Sequence, residues 1–178
     1  MGAASYTRST MRIRDALPED LAAIVRIYND TVPSRESTAD LEPVTVQQRG
    51  AWFIGHTPER RPLWVVEQEP GVVLGWCSLR DFYGRPAYAA TAEIGIYVDA
   101  GARRHGLGRT LLRAAIARGP ELGLSTLIAV VFAHNAASVG LFEAEEFERW
   151  GSLPGVARLD DRLADVLILG RHLGVSRG

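Results

Sequence analysis

The chain has 178 residues, enough for one domain with a sizeable core. Its hydrophobic and charged fractions, 47% and 23%, are those of an ordinary folded domain. The 20 basic residues are all Arg, which excludes lysine Schiff-base chemistry and a Walker-A phosphate loop, and against 21 acidic residues they leave no basic footprint for nucleic acid.

Residues 1–10 are small and polar and read as a disordered tail, with one domain over residues 11–173. Residues 11–15 alternate as a first strand. Pro18, Glu19 and Asp20 open a helix whose apolar face is Leu21, Ile24, Val25 and Tyr28. Residues 32–44 form a loop, and Thr45 caps a second helix running to Ile54. Residues 63–67 and 72–79 read as strands paired through the Pro70–Gly71 turn. A loop over 81–86 carries Phe82, Tyr83 and Arg85, and a long strand follows over 88–98. A helix ends at Arg118, a buried strand covers 125–132, a last helix covers 135–146, and a final strand covers 165–171. This alternation predicts a single α/β domain around one mixed, mostly antiparallel sheet.

The longest apolar run, residues 127–133, is too short to span a bilayer, so no membrane role is expected. Cys77 is alone, so an internal disulfide and a multi-cysteine zinc site are both excluded; it reads as a buried thiol and fits a reducing, cytoplasmic setting. The four histidines lack metal-ligand spacing, so no metal is expected. Trp52, Phe53, Trp64 and Trp76 read as packing residues, and Glu143, Glu145, Glu146 and Glu148 as a solvated face relieved by Arg149.

The informative segment joins the end of the fourth strand to a helix. It contains Arg103-Arg104-His105-Gly106-Leu107-Gly108-Arg109. Glycines here let the backbone approach a ligand, and the N–H groups of a helix start attract an anion. Arg103, Arg104 and Arg109 add positive potential. A plain glycine-rich loop before a surface helix is the competing explanation. A dinucleotide fingerprint is disfavoured, because no third glycine follows and the loop does not trail the first strand.

On these residues the chain resembles the GCN5-related N-acetyltransferases, and within them the phosphinothricin and methionine sulfoximine acetyltransferase group. The resemblance rests on residues 27–30, Thr91-Ala92-Glu93, Ile96-Tyr97-Val98, the glycine loop and the stretch 135–141. It implies acetyl-CoA as cofactor and acetyl transfer to the primary amine of a small, amino-acid-like molecule. It implies that Ile96, Tyr97 and Val98 line the pantetheine arm and that the N–H groups from Arg104 through His105, Gly106, Leu107, Gly108 and Arg109 take the pyrophosphate. Asn135 and Ser138 would contact the cofactor from the next helix. Glu93 would be the base; as a residue alone it could equally be an exposed strand residue or an ion-pair partner. Gly95 inside the strand independently suggests a bulge or close backbone approach, which would free an N–H near Val98.

The chain departs from the group at several positions. Ile94 and Gly95 stand where His and Ser are usual, Phe142 stands near the usual Tyr acid, and Glu146-Phe147 replaces Gly-Phe. Arginines usual in the loop before that strand are matched by Tyr83 and Ala89, with Arg80 and Arg85 nearby. Arg80, Tyr83 and Arg85 are the expected acceptor contacts, and residues 151–161 are expected to edge the acceptor pocket. A homodimer is implied by the same resemblance. Two alternatives stay open: a protein N-terminal or ribosomal-protein acetyltransferase, and an acyl-CoA-binding sensor without turnover.

Overall fold

The computed structural model describes residues 11–174, so the expected tail over 1–10 lies outside the described residues. Seven strands form one sheet: β1 (Arg12–Asp15), β2 (Leu63–Glu67), β3 (Val73–Asp81), β4 (Thr91–Val98), β5 (Thr126–Phe132), β6 (Glu148–Leu159) and β7 (Arg162–His172). Four helices flank it: α1 (Leu21–Asn29), α2 (Val46–Ile54), α3 (Leu107–Arg118) and α4 (Ala136–Glu143). The strand order is β1-β2-β3-β4-β5-β7-β6. Every neighbouring pair is antiparallel except β4–β5. The mixed, mostly antiparallel sheet expected from the sequence is present.

Local chemistry sets the helix starts. The Asp20 carboxylate accepts the Leu17 N–H at 2.7 Å just before α1. Thr45 and Gln48 form a reciprocal box at the start of α2, at 3.1 and 2.7 Å. The sheet separates two apolar layers. Leu111, Leu112 and Ala115 of α3 and Phe142 of α4 pack on one face, and Ile24, Ile27 and Tyr28 of α1 on the other. Leu111 and Leu112 are fully buried, each contributing about 1.5–3 kcal/mol through removal from water.

Three expectations need correction. β6 went unread because its alternation is broken at Gly151, Pro154 and Gly155, and its register shifts twice against β7. It is an edge strand, where proline is tolerated. β4 starts at Thr91 rather than 88, because Pro86–Tyr88 forms a 3₁₀ turn. α4 stops at Glu143, three residues short of the expected end.

Candidate active site

The parallel β4–β5 ladder is short. It joins Thr91 to Thr126, Ala92 to Leu127 and Glu93 to Ile128, and then stops. Beyond Glu93, β4 stays with β3 as far as Val98, while β5 stays with β7 as far as Phe132. The sheet therefore forks, with Glu93 at the crotch. The Asp99 N–H donates to the Leu74 carbonyl at 2.9 Å. Alternation along an antiparallel ladder then turns the backbone groups of Ile94, Ile96 and Val98 away from β3; the Ile94 N–H closes the ladder to β5, and the N–H and C=O groups of Ile96 and Val98 face the fork. β4 therefore splays from β5, although no bulge marks Gly95, which sits in an unbroken β3–β4 register.

Two adjoining cavities occupy the fork. One, of about 190 Å³, is lined by Ile94–Tyr97 backbone and side chains, Val131, Phe132, Asn135, Ser138 and Phe142. The other, of about 370 Å³, is lined by Tyr28, Arg49, Trp52, Trp76, Ser78, Arg80 and Glu93. They share Ser37, Thr38 and Ala39 as a wall. This crossing segment is tied down at successive residues. The Arg35 carbonyl lies 2.8 Å from His134 Nε2, Asn135 Nδ2 donates to the Glu36 carbonyl at 2.9 Å, and the Tyr97 hydroxyl donates to the Ser37 carbonyl at 3.1 Å. The Tyr28 hydroxyl bonds Thr38 and donates to Asp40. Burial pushes the Tyr28 and Tyr97 hydroxyls up, so both remain protonated donors at neutral pH.

Beyond Val98 the chain reaches the helix start. Asp99 accepts the Gly101 N–H at 2.9 Å and pairs with Arg26 of α1 at 2.7 Å. Burial works to raise its carboxyl; Arg26 and Gly101 outweigh that and hold it below the usual range. Arg104 and Gly106 then take positive φ, +64° and +77°. Thr110 is the first N–H to bond back into α3, to the Gly106 carbonyl at 2.9 Å, and no side chain caps the helix. The N–H groups of Leu107, Gly108 and Arg109 thus have no acceptor within the helix. A diphosphate fits this arrangement, since it supplies the acceptors and the charge. A Cβ on Gly108 would lie 3.3 Å from Leu141 Cδ2 and 3.9 Å from Val98 Cγ2. The second loop glycine therefore lets α3 sit tightly against α4 and β4.

The other expected residues are distributed as follows. Arg80 and Glu93 are cross-strand neighbours and form an ion pair, with the Glu93 side chain 26% exposed. Tyr83 and Arg85 are not brought to Glu93. The loop turns outward at Tyr83 and Gly84, both at positive φ, and Arg85 lines a separate pocket with Asp81, Phe82 and Tyr88. Arg109 directs its guanidinium to Glu145 at 3.1 Å, which leaves its backbone N–H at the helix start. Glu145 is buried, contrary to its reading as part of a solvated face, and Arg113 and Arg109 hold its carboxyl low. His105 Nδ1 lies 3.3 Å from the Ala102 carbonyl, within the loop. Ser138 gives its N–H to Asn135 Oδ1 at 3.0 Å, so Asn135 caps α4. Among residues 151–161, Ala157 lines the smaller cavity, and Asp160 pairs with Arg35 at 2.8 Å. Cys77 is buried and its thiol is pushed up by desolvation. Trp64 and Trp76 are core residues, and Trp52 packs beside that core; Trp52 and Trp76 also line the chamber. Sequence reasoning missed Tyr28, Arg49 and Ser78 as chamber residues. The one local signal was the three-residue spacing of Arg49 and Trp52 on a helix with no buried residue.

The sequence profile of the acetyltransferase (GNAT) family matches residues 21–147. Bacillus subtilis YwnH, provisionally named a phosphinothricin acetyltransferase, is 50% identical over 92% of this chain and 99% of its own length. The L-methionine sulfoximine/L-methionine sulfone acetyltransferase of Pseudomonas paraeruginosa is 34% identical over 93% of this chain and 96% of its own. The crystal structure of a Sinorhizobium meliloti phosphinothricin acetyltransferase in complex with acetyl-CoA superposes with a TM-score of 0.86 at 30% identity, covering 93% of this chain and 89% of that one.

Proposed function

This chain belongs to the GNAT family and is an acetyl-CoA-dependent N-acetyltransferase; from that premise we propose that its acceptor is the primary amine of a small amino acid and that Glu93 is the base. The observation that carries the reading is the fork. Glu93 lines the larger, polar chamber next to Ile94 and Gly95, which line both cavities, and beyond it the N–H groups of Ile96 and Val98 face the open fork. The names of the relatives, which specify amino-acid analogues as substrates, support the same class.

The cofactor supplies an activated acetyl group as a thioester. The α3 start holds its diphosphate through the N–H groups of Leu107, Gly108 and Arg109, with Arg103 and Arg104 adding charge from the same loop. The fork-facing backbone of Ile96 and Val98 would orient the arm along β4. Asn135 and Ser138 close the cavity from α4. At the acceptor end an ammonium ion must lose a proton before its nitrogen can attack, and Glu93 takes that proton directly or through water. Arg80 holds the Glu93 carboxylate in place and offers a guanidinium to the carboxylate of an amino-acid acceptor. Phe142 is buried against Phe147 and has no proton to give, so the departing thiolate is protonated by solvent.

Thiol release from acetyl-CoA across a panel of amines tests the reading. Release is expected with α-amino acids and absent with their N-acetylated forms. Tight cofactor binding with no release on any amine would sink it in favour of a sensor.

A further inference from the structure

Register fixes the floor of the larger chamber. Trp76 opposes Tyr97, Ser78 opposes Gly95, and Arg80 opposes Glu93. All six lie on one face of the β3–β4 hairpin, because successive residues alternate faces. The floor therefore runs from a stacked aromatic pair, with centroids 4.5 Å apart, through a hydroxyl beside a bare glycine, to the ion pair. The amino-acid end of an acceptor belongs at the ion pair, and its side chain then extends toward the rings.

A second guanidinium stands over that far end. Arg49 of α2 lies 4.3 Å from the Tyr28 ring centre and 5.3 Å from that of Trp52. Trp52 in turn meets Trp76 edge-on at 5.6 Å, and Tyr28 meets Tyr97 at 5.1 Å. Cation–π contact with both rings thus holds the guanidinium in place. Among the described residues its one hydrogen-bonded partner is Asp40, at 3.3 Å, and that same carboxylate oxygen already accepts from Tyr28. A guanidinium carries five N–H donors. Arg49 lines the chamber with its side chain 22% exposed, so most of those donors have no protein acceptor among the described residues and are available to a ligand there.

We propose that Arg49 is a specificity-determining residue that reads an oxygen-bearing group, anionic or strongly polarised, at the far end of the acceptor's side chain. This rests on the reading of the chamber as an amino-acid site. An acceptor with an oxo tip fills the donors with charge-assisted hydrogen bonds. An apolar tip of the same length leaves them unfilled, and a site built to donate hydrogen bonds rejects such an analogue strongly. Lysine would keep the charge but lose the planar fork and the stacking.

The test compares kcat/KM for L-methionine sulfone and L-methionine, which differ only by the two sulfonyl oxygens. Wild type, Arg49→Met and Arg49→Lys are measured, with acetyl-CoA affinity determined separately by calorimetry. Wild type should favour the sulfone by roughly tenfold or more. Arg49→Met should bring the ratio close to one by losing sulfone turnover alone, with methionine turnover and acetyl-CoA affinity retained. Arg49→Lys should fall between the two. If Arg49→Met fails to bind acetyl-CoA, the lysine variant decides, and a wild-type ratio there overturns the proposal. A ratio unchanged in Arg49→Met overturns it while leaving the amino-acid reading standing. Absence of thiol release by wild type on any amino acid overturns that reading, and this proposal with it.

Discussion

The two sides of the fork are built from different materials. The α3 start and the open edge of β4 offer backbone: N–H groups of a helix start, strand groups left open where β4 leaves β5, and glycines that permit positive φ or close packing, beside a cavity lined by Phe132, Asn135 and Phe142. The larger chamber is made mainly of side chains drawn from α1, α2, β3 and β4 and from the crossing segment over 37–40. A backbone site binds a ligand common to many proteins and tolerates change in most side chains. A side-chain site can be retuned one residue at a time without disturbing its neighbour. The division predicts that substitutions in the chamber alter acceptor kinetics and leave cofactor affinity alone, and that substitutions at the helix start do the reverse.

The largest expected effect lies where the two meet. Glu93→Gln should lower kcat at neutral pH by roughly 10²-fold, the scale of a general base. Its KM for acetyl-CoA should stay within a factor of two or so, because no cradle donor is touched. A kcat–pH profile identical to that of wild type would reject the role. Next comes Arg80→Met, which should raise the acceptor KM by roughly tenfold, as expected for loss of a half-exposed charge-assisted contact of about 1.5 kcal/mol. Steady-state kinetics with each substrate varied in turn decides the point, and an equal rise in both KM values would break the division. Gly106→Val acts on the other side. A β-branched residue at φ +77° costs about 1–3 kcal/mol of backbone strain and deforms the helix start. The KM for acetyl-CoA should rise by roughly tenfold with the acceptor KM unmoved, and normal cofactor binding would remove the cradle assignment.

The same division explains what could be read from the chain. The backbone side depends on local patterns. Arg103 through Arg109 carries its glycines and its helix start within seven residues, and Glu93 lies on a strand with clear flanks. The hairpin of β2 and β3, announced by Pro70–Gly71, was legible for the same reason. The chamber depends on convergence. Arg49 reaches Tyr28 across the turn between two helices, and the Arg80–Glu93 pair exists only through β3–β4 register. Neither meeting has a signature at short range. Tyr83 and Arg85 show the opposite hazard, since they are close to Arg80 in sequence and carried away by two positive-φ residues. β6 was hidden because Gly151, Pro154 and Gly155 erase the alternation that marks a strand, while the open edge of the sheet tolerates them.

Asn135 stands on the boundary and offers the finest test. Its Oδ1 caps α4 by accepting the Ser138 N–H, on the side proposed for the cofactor. Its Nδ2 donates to the Glu36 carbonyl and so holds the segment that walls the larger chamber. Asn135→Ala removes both functions. Loss of the cap should cost about 1 kcal/mol, seen as a fall in Tm of about 2–4 °C. Asn135→Asp keeps an acceptor for Ser138, and a carboxylate at a helix start is favourable. It removes the donor to Glu36 and sets a negative charge against that carbonyl. The aspartate variant should therefore retain the wild-type Tm, or nearly so, yet show an acceptor KM a few-fold higher. If instead both variants lose stability equally and neither changes the acceptor KM, the crossing segment is held by His134, Tyr28 and Tyr97 without Asn135, and the wall between the two sides does not depend on the cap of α4.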